Sequence, residues 1–216
     1  MTTTTVVRAS TTPGGLIDPD GAAVPVPENL IAFPVVQQRQ GYSCGAAATL
    51  MLLRYWRLDA HAGTDESALY DPLGTTPARG TEPEPMAALL EANGLEAVYR
   101  HGDVRVEDLE RAVDRREPPI VDLQAWRDHE GPWRDTWDAG HYVILVGYDA
   151  ERLFFVDPSR ATARGYVFLP RAELDERWHD LAGDSDTPLE RMAIFVRGRT
   201  ASLPPEPPPA EAAPLR

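Results

Sequence analysis

The sequence predicts an α+β fold, with helices in the first half of the chain and an antiparallel sheet after them. Three observations carry this prediction. The run CGAAATLMLLRYWRL, from Cys44, is apolar nearly all round, as a buried central helix requires. Two amphipathic helical segments follow it. Beyond Pro119 the pattern changes to short runs of β-branched and aromatic residues separated by turn material.

Taken in order, EPEPMAALLEANG has proline near its start, apolar spacing at Met86, Leu89 and Leu90, and Gly94 as a stop. RVEDLERAVDRREPP is a second amphipathic helix, closed by Pro118 and Pro119. The strands are PIVDLQ, HYVILVGYD, RLFFVD, GYVFL and RMAIFVRG, with PRAELDERW interrupting them as a short helix. Helices grouped ahead of strands do not alternate as a doubly wound sheet would.

Composition bounds the rest. The 216 residues suit one domain with tails. Residues 1–30 are rich in Thr, Pro and Gly and read as a flexible N-terminal segment. Residues 200–216, including SLPPEPPPAEAAPLR, read as a Pro-rich disordered tail. The globular unit is then 31–199. No long apolar run predicts a membrane span, and MTTTTVVRASTTPGGL lacks the basic start and apolar centre of a signal peptide, so the expected location is cytoplasmic. A net charge of −13 argues against a nucleic-acid partner, which needs a basic footprint. Every basic residue is arginine, which excludes lysine chemistry. The lone cysteine excludes an internal disulfide and a multi-cysteine zinc site; neither metal nor cofactor is expected. Oligomeric state is not legible.

That cysteine, Cys44, is the candidate nucleophile. A thiol is a weak nucleophile at neutral pH until its pKa falls, and a helix N-terminus and a nearby imidazolium are the simplest means. Cys44 opens its helix by pattern, so its own N–H can face a developing oxyanion. His141, at the start of the most hydrophobic strand, is the best base. The next strand ends at Asp157, where a carboxylate on a neighbouring antiparallel strand can fix the imidazole tautomer. Gln38, six residues before Cys44, is one short loop away and can supply the second oxyanion donor. Gln37 and Gln40 would serve if the loop register differs.

The ordered combination of Q-x5-C-G with GHYVILVGYD and LFFVDPS resembles the papain-like cysteine peptidases. It is nearest the bacteriocin-leader (double-glycine) peptidases and their stand-alone relatives, over roughly residues 31–199. The resemblance implies a papain-like fold, Cys44 as nucleophile and His141 as general base. It further implies Asp157 as the residue orienting His141, Gln38 in the oxyanion hole, and a peptide substrate cleaved after paired glycines. LDERWHDLAGD is similar to the aromatic segment that closes stand-alone members. Two other outcomes stay open: acyl or peptidyl transfer on the same triad, and a non-catalytic peptide-binding module.

Other residues point less sharply. His61, His101, His129 and His179 lie in polar or loop contexts and are expected to be solvated. Asp149 reads as a turn residue. Trp126, Trp133 and Trp137 either wall a substrate groove or pack as a loop over the sheet, the second being the ordinary outcome. Trp56 and Trp178 belong to the core. Gly14-Gly15 is either a self-processing site or part of a flexible linker.

Overall fold

A computed structural model describes residues 24–56, 65–126, 131–159, 165–182, 187–199 and 207–215. Helix α1 (Cys44–Tyr55) is buried at every residue except Arg54, as its all-round apolar sequence demands. Its Gly45 lies against the approach to the next long helix. A Cβ there would sit 2.7 Å from Thr81 Cβ, so no larger side chain fits without displacement. A 3-10 turn (Glu66–Leu69) leads into α2 (Tyr70–Leu73). Helix α3 (Pro83–Ala92) starts on its proline and stops at Asn93 and Gly94, the latter at φ 85°. Helix α4 (Val106–Asp114) is capped by Asp108, whose carboxylate accepts the Arg105 N–H at 3.0 Å.

The strands are β1 (Val24–Pro25), β2 (Glu96–Arg100), β3 (Ile120–Gln124), β4 (Gly140–Tyr148) and β5 (Arg152–Val156). After them come β6 (Tyr166–Pro170), helix α5 (Arg171–Arg177), β7 (His179–Leu181), β8 (Pro188–Glu190), β9 (Ala193–Arg197) and β10 (Glu211–Pro214). Eight strands form one sheet in the order β1-β10-β6-β5-β4-β3-β9-β2, and β7 and β8 make a separate hairpin. Strands β3 to β6 are the expected antiparallel meander. The expected α+β class is the observed one.

Strand β4 is the spine of the sheet: residues 141–147 are all buried, and α1 and α4 both pack on it. Burying β-branched and aliphatic side chains on both faces explains why this run reads as continuously apolar rather than alternating. Truncating a fully buried core residue such as Leu50 or Ile144 to Ala would cost about 2–5 kcal/mol.

Both chain ends depart from expectation. Residues 24–30, read as part of a flexible segment, are placed: Val24 pairs with Ala212, Leu30 is buried, and next to it Ile31 N–H donates to Val146 O at 2.7 Å. The end of the tail, read as disordered, forms β10, parallel to β6 through Ala213↔Val167 and antiparallel to β1. Its Leu215 N–H donates to Phe168 O at 2.7 Å, and its carbonyl accepts from the buried Arg177 guanidinium at 3.2 Å. Proline content suggests an extended chain; pairing with strands remote in sequence turns that extension into a strand between β1 and β6. Gly14-Gly15 lies outside the described residues, as do residues 200–206 of the tail.

Candidate active site

Cys44 is the first residue of α1 and is 8% exposed. The first turn carries no acidic side chain, so nothing within the helix offsets its positive end. His141 is the second residue of β4 and is 1% exposed. The strand register explains its partner. Ile144 pairs with Val156, so one step further Val143 faces Asp157, and His141 lies two residues along on the same face. Such diagonal neighbours are within reach of long side chains. His141 Nε2 is 2.6 Å from Asp157 Oδ1.

Asp157 is held tightly. Its Oδ1 also accepts the Ser159 N–H at 2.6 Å, and its own N–H donates to Gly165 O at 2.6 Å. Between them, Pro158 O accepts the Gln38 N–H at 2.8 Å, which ties the segment before Cys44 to the turn bearing the carboxylate. Burial alone would lower the His141 pKa. The Asp157 charge and hydrogen bond, together with Cys44 as hydrogen-bonding and charged neighbour, outweigh burial and raise it to about 10. With Nε2 committed to Asp157, Nδ1 is the nitrogen left to face Cys44.

Gln38 is buried, whereas Gln37 and Gln40 are exposed. Its Nε2 donates to Gln40 O at 2.7 Å. Any role as an oxyanion donor requires the amide to share its donors or leave that carbonyl when substrate arrives.

The remaining expectations divide. Asp149 accepts the Glu151 and Arg152 N–H groups at 2.8 and 2.7 Å, an ordinary turn carboxylate. His101 is exposed and stacks on Tyr99. His179 is not solvated: it is 6% exposed, its Nε2 lies 2.7 Å from Thr136 O, and Trp137 packs on its ring. The hairpin β7–β8 folds that polar stretch against β3, which a linear reading of WHDLAGD does not reveal. His61 and His129 lie outside the described residues. Trp56 and Trp178 are core residues, as expected. Trp133 lies under the Arg177 guanidinium at 3.8 Å and Trp137 packs on His179, and both rings are half-buried. Trp126 differs: it is 38% exposed, with its ring centroid 4.6 Å from that of His141.

Several buried polar residues near the site carry no sequence signal. Glu66, 1% exposed, reaches the loop before Cys44. Asp122 on β3 is 3% exposed, and its Oδ1 has no hydrogen-bond partner. Burial first, then the neighbouring Asp180 and Cys44, push its carboxyl well above the usual range. Asp180 is raised in the same sense, burial again leading, and Gln124 Nε2 donates to it at 3.2 Å. It packs over Gly140, where an added Cβ would sit 1.8 Å from Asp180 Oδ2. Among the described residues no three His, Cys, Asp or Glu side chains group as metal donors, and no helix is long and apolar enough to cross a membrane.

Similarity to known proteins agrees with this architecture. A search of curated proteins finds no relative. Among solved structures, a C39-like peptidase from Bacillus anthracis aligns with TM-score 0.56 and 18% identity, over 83% of this chain and all of that one (100%). The double-glycine-motif protease of an AMS/PCAT transporter, solved with its leader peptide, aligns with TM-score 0.52 and 18% identity, over 81% of this chain and 98% of that one. The peptidase domain of Streptococcus ComA, a bi-functional ABC transporter of a quorum-sensing pathway, aligns with TM-score 0.50 and 17% identity, over 76% and 98%. At these identities the likeness is one of fold. Residues 30–185 match the model of the Peptidase_C39-like family. The chain belongs to that family, and at family level it is a cysteine peptidase.

Proposed function

We propose that this chain hydrolyses a peptide bond through a thioester on Cys44, with His141 as general base, Asp157 orienting it and Gln38 completing the oxyanion hole. The single observation that carries this reading is the buried His141 Nε2–Asp157 Oδ1 contact of 2.6 Å, with Cys44 as the other partner of the same imidazole.

The chemistry follows from that arrangement. Cys44 Sγ, its proton already held at His141 Nδ1, attacks the substrate carbonyl carbon as the thiolate. The displaced electron pair moves to the carbonyl oxygen, where the Cys44 N–H and the Gln38 amide stabilise it. As the tetrahedral species collapses, the C–N bond breaks and the leaving amine takes the proton from His141. Water then attacks the thioester, giving its proton to His141, and as the C–S bond breaks the acid departs and Sγ leaves as the thiolate beside the imidazolium. Asp157 keeps Nε2–H engaged throughout and stabilises the imidazolium without itself taking the proton.

The substrate is a peptide, cut after paired glycines, whose lack of side chains suits a narrow approach to a thiol as buried as Cys44. Family membership supports this choice, as does the fold shared with a protease named for a double-glycine motif. The test is a peptide panel with Gly-Gly, Gly-Ala, Ala-Gly or Ala-Ala before the scissile bond, read by mass spectrometry. Cleavage after Gly-Gly, lost in Cys44→Ala, is expected. A panel cut equally by wild type and Cys44→Ala, or left intact by both, contradicts the reading.

A further inference from the structure

Glu66 lies 22 residues beyond Cys44, yet its carboxylate returns to the loop that precedes the thiol. Its Oε1 accepts the Arg39 N–H at 2.5 Å, the Ser43 hydroxyl at 2.8 Å and the Tyr70 hydroxyl at 2.7 Å. Two of these donors lie inside the segment between Gln38 and Cys44; the third anchors Glu66 to α2. A buried carboxylate with three donors is a strong, geometrically fixed clamp, because charge-assisted hydrogen bonds are about twice as strong as neutral ones.

The clamp propagates in both directions along the loop. Ser43 is the residue before Cys44, at the N-cap position of α1 with its hydroxyl turned to Glu66 and Gln40 O rather than to the helix, so fixing that hydroxyl fixes the backbone from which the Cys44 N–H points. Ser43 N–H donates to Gln40 O at 3.2 Å, and Gln40 N–H donates to Ser43 Oγ at 3.1 Å, closing the turn. The same Gln40 carbonyl holds Gln38 Nε2 at 2.7 Å. Both groups assigned to the oxyanion hole therefore depend on one turn, and Glu66 holds that turn at Arg39 and Ser43.

We propose that Glu66 is a positioning residue for oxyanion stabilisation: it sets the Gln38 amide and the Cys44 N–H without touching substrate. The proposal rests on the reading of Cys44 as nucleophile. It makes a prediction that a purely structural role does not. Glu66 is a negative group near the thiol, so neutralising it does not disfavour the thiolate. Reactions at Sγ that build no oxyanion are then spared, and those that build one suffer.

The test compares two probes on the full-length protein. Iodoacetamide alkylates Sγ by displacement at a saturated carbon and needs no oxyanion hole. A peptide aldehyde ending in Gly-glycinal forms a hemithioacetal: the C–S bond forms, the carbonyl π bond opens, and its oxygen takes the proton held by His141. Glu66→Gln is expected to alkylate at the wild-type rate or slightly faster, while its aldehyde affinity falls about tenfold, the scale for a donor displaced rather than deleted. Ser43→Ala, which removes one loop donor, is expected to show the same split at about threefold, and it keeps the test alive if Glu66→Gln unfolds. Equal losses with both probes would overturn the proposal, since Glu66 would then only support the fold. Unchanged aldehyde affinity in both variants would overturn it as well. If the wild type alkylates no faster than a small free thiol, the nucleophile reading itself fails, and the positioning role falls with it.

Discussion

Two carboxyl groups on either side of β4 are equally buried and meet opposite neighbours. Asp157, 2% exposed, meets an imidazole and a backbone N–H. Asp122, 3% exposed, meets a second carboxyl group, Asp180, and one of its oxygens has no partner. Burial disfavours charge at both; the neighbour decides the outcome. At Asp157 the neighbour is His141, whose pKa is carried up to about 10, so the imidazole is cationic at neutral pH and the carboxylate is its counter-ion. At Asp122 the neighbour is another acid, and the pair is driven to retain a proton. One position stores an ion pair beside the thiol, and the other keeps additional charge away from it.

The largest effect that would break this comparison is removal of the cation. His141→Ala is expected to lower kcat/KM at least about 10³-fold by peptide-cleavage assay, because base and counter-charge go together. Next, Asp157→Asn keeps the shape and removes the charge, with an expected loss on the order of 10²-fold in kcat.

The same variant carries a pH signature. A folded-state pKa raised from 6.5 to about 10 contributes stability that is complete below pH 6.5 and is lost as pH rises towards 10. The Tm gap between wild type and Asp157→Asn should therefore be widest near pH 6 and narrow towards pH 10.

Asp122→Asn is expected to do the reverse. Because the folded carboxyl is raised, the unfolded chain ionises first, and Asp122 costs stability as pH climbs from about 4. Groups felt there are Asp180 from β7, Tyr142 and His141 from β4, Cys44 from α1 and Tyr99 from β2. The variant should match wild type in Tm near pH 4 and exceed it at pH 8. The smallest expected effect sharpens the comparison at its rim: Trp126→Ala, uncovering His141, should raise KM severalfold with kcat nearly retained.

How much of this is legible in the sequence follows from the range of the interactions. The meander β3 to β6 announces itself because each run is local and apolar. The His141–Asp157 contact is readable because both lie at ends of consecutive strands. Strand β2 is missed because EAVYR is five residues after a glycine stop and its partner, β9, lies near residue 195. The paired termini are missed for the same reason, and proline content points the other way. Glu66 and Asp122 are two acids among 34, and only burial distinguishes them; sequence preferences place such residues outside. His179 fails likewise, since its shelter comes from Thr136 and Trp137, supplied by a loop more than 40 residues earlier.

The cation at His141 is the centre of the account, and NMR titration of its ring protons measures it directly. The wild type should titrate near pH 10, and both Cys44→Ala and Asp157→Asn should lower that midpoint, since each removes a group that raises it. A midpoint near the ordinary histidine value of about 6.5, unmoved by either substitution, would contradict the ion pair and the mechanism built on it.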